Sequence, residues 1–355
     1  MLRAPTPGVK EMTSGGAAHR DCARYNGTAM PDPAPLLDVR HLTTVFDGPS
    51  GPLAAVDDLS LAVPPGETLA VVGESGSGKS VAALSILRLI EPPGRIAAGE
   101  ILLRGRELRS LAEEEMRRVR GREIGLIFQE PARALNPVFT IGAQVAEALE
   151  VHGLAAGRLA RARAVEMLEA VGVPSPGDRA RDYPHQLSGG LLQRAAIAAA
   201  LACRPALVVA DEPTSSLDLT IQAVVLDLLA RLREAFGLSL LLITHDLDVA
   251  ARVADRVAVM YAGRIVEQGP AGDVLETPSH PYTAGLLAAA PRGVPGRLRA
   301  LAGSVPPLGP RRPGCAFAPR CPKRTAQCDG HRPEPAAVAP GRLASCHYPD
   351  FVADA

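Results

Sequence analysis

Residues 73–80 read Gly-Glu-Ser-Gly-Ser-Gly-Lys-Ser, a glycine-rich turn that ends in Lys79 and Ser80. The apolar run Leu69-Ala70-Val71-Val72 precedes it, and a helix-like pattern, Val81-Ala82-Ala83-Leu84-Ser85-Ile86-Leu87, follows. A strand that feeds a helix through such a loop lets consecutive backbone N–H groups turn inward as an anion nest, and the helix N-terminus adds its positive end. In that setting Lys79 reaches the β- and γ-phosphates and Ser80 ligates Mg²⁺, while Gly73, Ser75, Gly76, Ser77 and Gly78 build the cradle. The octapeptide therefore predicts an α/β fold organised around a nucleoside triphosphate site.

Only three lysines occur in the chain, at 10, 79 and 323, so arginine stands almost wherever a cation is wanted. Lys79 breaks that bias because a compact ammonium fits between two phosphates where a planar guanidinium does not. Formal charge balances to zero, which argues against nucleic acid as the main partner. One asymmetry stands out: from Arg292 to Arg342 there are ten Lys or Arg residues and only two acids, Asp329 and Glu334. It reads as a solvated, Arg-rich tail, with contact to an anionic membrane surface as the weaker alternative.

At 355 residues the chain has room for two or three structural units. No apolar run approaches the ~18 to 20 residues that a bilayer span needs. Residues 1–35, rich in Gly, Pro, Ala and Thr, lack the basic-then-apolar plan of a secretion signal and are expected to be a disordered tail, with Met12 and Met30 as alternative starts. Six cysteines without a signal peptide are expected to be reduced thiols or metal ligands.

Leu36–Arg40 and Val56–Val63 alternate as strands around a Gly/Pro turn at 47–52. From about Phe139 to Val171 the pattern turns helical and Ala-rich, broken at Gly153 and Gly157, as in a helical insertion. Strand–helix alternation then resumes through Leu207–Ala210, Ile221–Phe236, Leu238–Ile243 and Val257–Tyr261, the signature of a parallel sheet covered by helices. After about Gly269 the regularity fades into a Pro/Gly/Arg-rich stretch with clustered cysteines. The expected division is a tail over 1–35, a nucleotide-binding domain over 36–270 with a helical insertion at about 130–200, and a C-terminal extension over 271–355.

The strand Leu207-Val208-Val209-Ala210 ends in Asp211 and Glu212, which sets one acid beside Mg²⁺ and another beside an attacking water. Ser188-Gly189-Gly190 opens an Ala-rich helix, a second small-residue helix start suited to phosphate. Thr244-His245-Asp246 follows the apolar strand Leu238–Ile243.

Taken in order, these residues resemble an ATP-binding cassette (ABC) ATPase: Walker A at 73–80, a Q-loop at Phe128-Gln129-Glu130, the signature Leu187-Ser188-Gly189-Gly190-Leu191, Walker B at 207–212, a D-loop Ser215-Ser216-Leu217-Asp218 and a switch histidine at His245. The resemblance implies a P-loop, RecA-like domain with an antiparallel β subdomain and a helical insertion, working with ATP and Mg²⁺. It gives Glu212 the role of general base, Asp211 the metal through its hydration shell, Gln129 a contact to Mg²⁺ and water, and His245 the γ-phosphate. Phe46 is expected to stack on adenine. Ser188, Gly189 and Gly190 are expected to reach the nucleotide of the opposite subunit, so hydrolysis requires two cassettes clamped head to tail. Leu191 departs from the Gln usual there, a change that leaves the serine and glycine backbone contacts in place.

Leu135-Asn136-Pro137-Val138-Phe139-Thr140-Ile141-Gly142, the Glu-Ser form of Walker A, and His280-Pro281-Tyr282-Thr283 are similar to the ATPase subunits of oligopeptide, dipeptide and nickel importers. The resemblance implies a place on the cytoplasmic face of a bacterial inner membrane, beneath two transmembrane permeases. A second ATPase, identical or related, and an extracytoplasmic solute-binding protein complete the expected complex, without nucleic acid. A soluble cassette ATPase acting on the ribosome or nucleic acid is the rival reading, but the paired cassettes or long coiled coil it would normally carry are missing.

Cys315, Cys321, Cys328 and Cys346 form a C-x5-C-x6-C-x17-C set in a region with little core-forming pattern. Four thiols in such a tail call for a metal staple. The spacing lacks the Cys-x2-Cys knuckles usual for zinc. Resemblance to importer ATPases with a cysteine-bearing C-terminal domain favours a [4Fe–4S] cluster, with zinc and free thiols as alternatives.

Overall fold

The computed structural model describes residues 34–49, 51–215, 218–290, 301–309 and 313–349. The proposed N-terminal tail up to residue 33, Ser216 and Leu217, and Arg292, Arg297, Arg299, Arg311 and Arg312 of the basic stretch lie outside them.

Two sheets organise the described chain. The first is antiparallel, in the order β2-β1-β4-β5, from β1 (Leu37–Gly48), β2 (Gly51–Val63), β4 (Gly94–Leu103) and β5 (Arg106–Glu107). Sequence alternation reads only the outer parts of β1 and β2; the structure runs both through to a tight connection at Gly48↔Gly51, so most of the expected turn is strand.

The second sheet has eight strands in the order β11-β12-β10-β9-β3-β8-β7-β6. Its parallel half comprises β3 (Thr68–Val72), β6 (Ile124–Ile127), β7 (Leu207–Asp211), β8 (Ser239–Thr244) and β9 (Arg256–Tyr261). These strands read as continuous apolar runs because helices or the first sheet cover both faces. On one face, Leu69, Val71, Val209, Leu241 and Ile243 pack with the antiparallel sheet, α1 (Lys79–Ile86) and α2 (Glu113–Arg122). On the other, Val208, Ala210, Leu240 and Leu242 pack with α4 (Ile141–Val151), α5 (Gly157–Ala170), α7 (Gly189–Leu201) and α8 (Leu219–Phe236), with the short turns α3 (Pro131–Ala134) and α6 (Pro176–Arg179) between them.

β10 (Arg264–Pro270) returns antiparallel to β9, followed by α10 (Ala271–Glu276) and α11 (Pro281–Ala289); α9 (Leu247–Val253) precedes β9. The cysteine-bearing stretch adds α12 (Ala326–Gly330), β11 (Ala336–Ala339) and β12 (Arg342–Ala344). β12 pairs with β10, so this stretch extends the main sheet. At the seam Glu267, with none of its side chain exposed, accepts from Arg342 Nη2 at 2.7 Å and from the backbone N–H groups of Ser279 and His280 at 2.7 and 3.0 Å.

Candidate functional site

Register brings the motifs to one edge. β3 pairs with β8 (Val72↔Thr244), β8 with β7 (Asp211↔Ile243), and β7 with β6 (Ile127↔Ala210). The loops after these four parallel strands therefore open side by side at their C-terminal ends, where open α/β sheets bind ligands. Residues 73–80, 128–129, 211–212 and 245 meet there.

The loop after β3 turns in a space that admits no side chain at two positions. A Cβ on Gly73 would lie 2.2 Å from the Met260 carbonyl oxygen, and one on Gly78, at φ +102°, 2.3 Å from that of Ala55. Ser75 and Gly76 are exposed at the crest, whereas Ser77 is buried with its hydroxyl unpartnered. Lys79, only 5% exposed, donates to the carbonyl oxygens of Gly73 at 2.7 Å and Glu74 at 3.1 Å. Burial pulls its ammonium below the ordinary value, an effect opposed by Glu212, Asp211 and Glu74. A buried cation tied only to carbonyls, beside an orphaned hydroxyl, fits the phosphates of a nucleotide.

Ser80 Oγ donates to Asp211 Oδ1 at 3.0 Å. Burial pushes the Asp211 carboxyl up; the Ser80 bond opposes this, Glu212 adds to it and Lys79 opposes it. The two oxygens are hard donors, the type Mg²⁺ prefers.

Glu212 occupies the left-handed region at φ +45°, and its N–H donates to the Ile243 carbonyl at 2.9 Å. Its carboxylate accepts from Gln129 Nε2 at 3.1 Å and lies 3.2 Å from His245 Nδ1. Strained backbone at a residue with three named tethers is the kind of feature that gathers at functional sites. Gln129 and His245 are both exposed towards the open edge.

Ser188, exposed and extended, caps α7 without a side-chain bond to that helix, and Gly189 beside it is exposed. Asp218 caps α8, accepting from the N–H groups of Thr220 and Ile221, each at 3.0 Å. Phe46 is half-buried on β1 opposite Gly94; a Cβ at Gly94 would meet its ring at 2.7 Å.

The four cysteines of the C-terminal set line one small cavity together with His280, Phe317 and Tyr348. The Cys315 N–H donates to the Cys328 carbonyl at 2.8 Å, tying two of their segments together. Among the described residues no three His, Cys, Asp or Glu side chains are set to hold a metal ion. Cys203 lies just past α7, half-buried, with its thiol 3.3 Å from the Ala148 carbonyl.

Sequence reasoning missed one contact. Arg320, beside Cys321, grips the Glu74 carboxylate with both terminal nitrogens, at 2.7 and 3.0 Å across 246 positions. No local signal could have joined them.

Residues 56–215 match the family described as ABC transporter, and residues 266–328 the one described as oligopeptide/dipeptide transporter, C-terminal region. Over 318 residues the chain is 49% identical to a protein of Brucella melitensis biotype 1 named for peptide import and ATP binding, covering 86% of this chain and 94% of that one. It is 46% identical over 316 residues to the dipeptide transport ATP-binding protein DppD of Escherichia coli (strain K12), covering 88% and 97%. Among solved structures it is similar to a dimeric post-hydrolysis state of an ATP-binding cassette bound to ADP and Pi, at 29% identity and TM-score 0.60, over 66% of this chain and 98% of that chain. No helix among the described residues is long and apolar enough to cross a membrane.

Proposed function

The chain belongs to the ABC transporter family, on its oligopeptide/dipeptide branch, and from that premise we propose how it works as the ATP-hydrolysing subunit of a peptide importer. The observation that carries the reading is the Glu212 carboxylate held between Gln129 and His245 at 3.1 and 3.2 Å, beside the Ser80–Asp211 pair. Lys79 and the N–H groups of 75–80 bind the phosphates; Ser80, Asp211 and Gln129 would hold Mg²⁺, which would neutralise phosphate charge when bound. Glu212 takes a proton from the attacking water, and His245 and Gln129 keep that water in line. Phe46 provides a ring for adenine.

Ser188 and Gly189, exposed at a helix start, with half-buried Gly190, serve the nucleotide of a second cassette, identical or related, and Asp218 lies at the same junction. Two permeases in the inner membrane and an extracytoplasmic peptide-binding protein complete the importer, with this chain on the cytoplasmic side. We further assign Cys315, Cys321, Cys328 and Cys346 to a [4Fe–4S] cluster, because the four thiols ring a cavity. Such a cluster would staple the extension. Iron and acid-labile sulfide in anaerobically purified protein support it; stoichiometric zinc without sulfide overturns it.

Glu212→Gln tests the central assignment. General-base loss predicts about a 10²- to 10⁴-fold fall in ATP turnover by the assembled complex, with nucleotide binding retained. Unchanged turnover would remove Glu212 from the reaction.

A further inference from the structure

Glu74 sits inside the phosphate loop, half-buried, and every polar group it carries is held. Its N–H donates to Tyr282 Oη at 2.9 Å, its carbonyl accepts from Lys79 Nζ at 3.1 Å and from the Ser77 N–H at 3.2 Å, and its carboxylate receives the Arg320 fork. Two of these partners, Tyr282 and Arg320, come from beyond the cassette core, one from α11 and one from the cysteine-bearing stretch.

The Arg320 side chain is 6% exposed and is itself fixed. Its Nε donates to the Ala302 carbonyl at 2.7 Å, and its guanidinium lies 5.7 Å from the Tyr261 ring centre and 5.9 Å from that of Phe317. Tyr261, Tyr282 and Phe317 pack on one another with centroids 4.6 to 5.4 Å apart, and all three are buried. A bidentate arginine on an aromatic platform has little freedom left to lose, so it fixes its partner's geometry as well as its charge.

We propose that Arg320 is a positioning residue for ATP, acting through Glu74. It cancels a carboxylate whose charge acts on Lys79 and would otherwise oppose an incoming triphosphate, and, with Tyr282, it pins the residue from which the phosphate loop turns. The C-terminal segment thereby completes the nucleotide site of its own cassette. This rests on residues 73–80 being that site. A purely structural role, tying the extension down, would make the same contacts but would not make ATP affinity depend on the sign of charge at 74.

The test uses the full chain in the assembled importer complex and reads ATPase kinetics. Removing a charge-assisted fork and exposing its carboxylate, Arg320→Ala is expected to raise KM for ATP about tenfold, with kcat within about twofold. Adding Glu74→Gln to Arg320→Ala removes the offending charge and is expected to return KM to within about threefold of the wild type, whereas Arg320→Lys alone lies between. If Arg320→Ala does not assemble, Arg320→Gln carries the same expectation. A KM unchanged by loss of the guanidinium, or a double variant as impaired as the single, overturns the proposal. Lys79→Ala separates the premise: ATP binding that survives it refutes the site at 73–80, and binding lost in Lys79→Ala but untouched in Arg320→Ala refutes only the role of Arg320.

Discussion

Arg342→Met should loosen the seam between the cysteine-bearing stretch and the cassette while leaving the rest of the sheet intact. Glu267, wholly buried, balances its charge against Arg342 at 2.7 Å, and two backbone N–H groups satisfy its remaining lone pairs. Methionine keeps the aliphatic length but leaves a buried carboxylate without a countercharge, a change that costs about 3–5 kcal/mol when one partner of a buried pair is deleted. Glu267→Gln should cost less, because Arg342 still donates to the Thr277 carbonyl and, at 3.2 Å, to its hydroxyl. Replacing both by methionine removes the stranded charge, so the double variant should be more stable than Arg342→Met alone. The loss is local, so backbone hydrogen exchange is the suitable assay. The Ser345 N–H, bonded to the Val266 carbonyl at 2.8 Å, and the His280 N–H report on the seam. A cost of about 3 kcal/mol corresponds to exchange faster by roughly a hundredfold at these two amides. Exchange within tenfold of the wild type in Arg342→Met would refute the assignment of this pair as the anchor.

Gly78→Ala places a Cβ 2.3 Å from the Ala55 carbonyl oxygen at φ +102°, so equilibrium binding should show ATP affinity lost with the antiparallel sheet still folded by circular dichroism. Cys328→Ser removes a thiol that lines the cysteine cavity; it should abolish iron and sulfide content and raise KM for ATP in the same direction as Arg320→Ala, since Arg320 directly precedes Cys321. Burial pulls the His152 imidazole below its ordinary value, and Arg122 adds to the effect. The unfolded chain therefore takes up a proton below about pH 6.5 that the folded chain refuses, and stability falls as pH drops through that value. Denaturant midpoints measured between about pH 8 and pH 5.5 should fall less in His152→Gln than in the wild type.

The nucleotide motifs were legible because each is local: Gly73 and Gly78 turn a loop, Asp211 and Glu212 end an apolar strand, and His245 follows another. Sheet register then does the assembly, placing Ile243 beside Asp211 and Ala210 beside Ile127. Strand β10 and its partner β12 were opaque for the opposite reason. Glu267 and Arg342 are 75 positions apart, and in a Pro- and Arg-rich stretch a short strand such as Arg342–Ala344 gives no periodicity to read. Glu74 and Tyr282 show both limits at once. Each stood within a stretch that marked the importer branch, yet nothing local explains why a carboxylate should sit in a phosphate loop. The answer lies in a guanidinium 246 positions away. Where an acid does lie in an anion site, a nearby cation favours its charged form and offsets its field, but only the folded chain shows which cation does so.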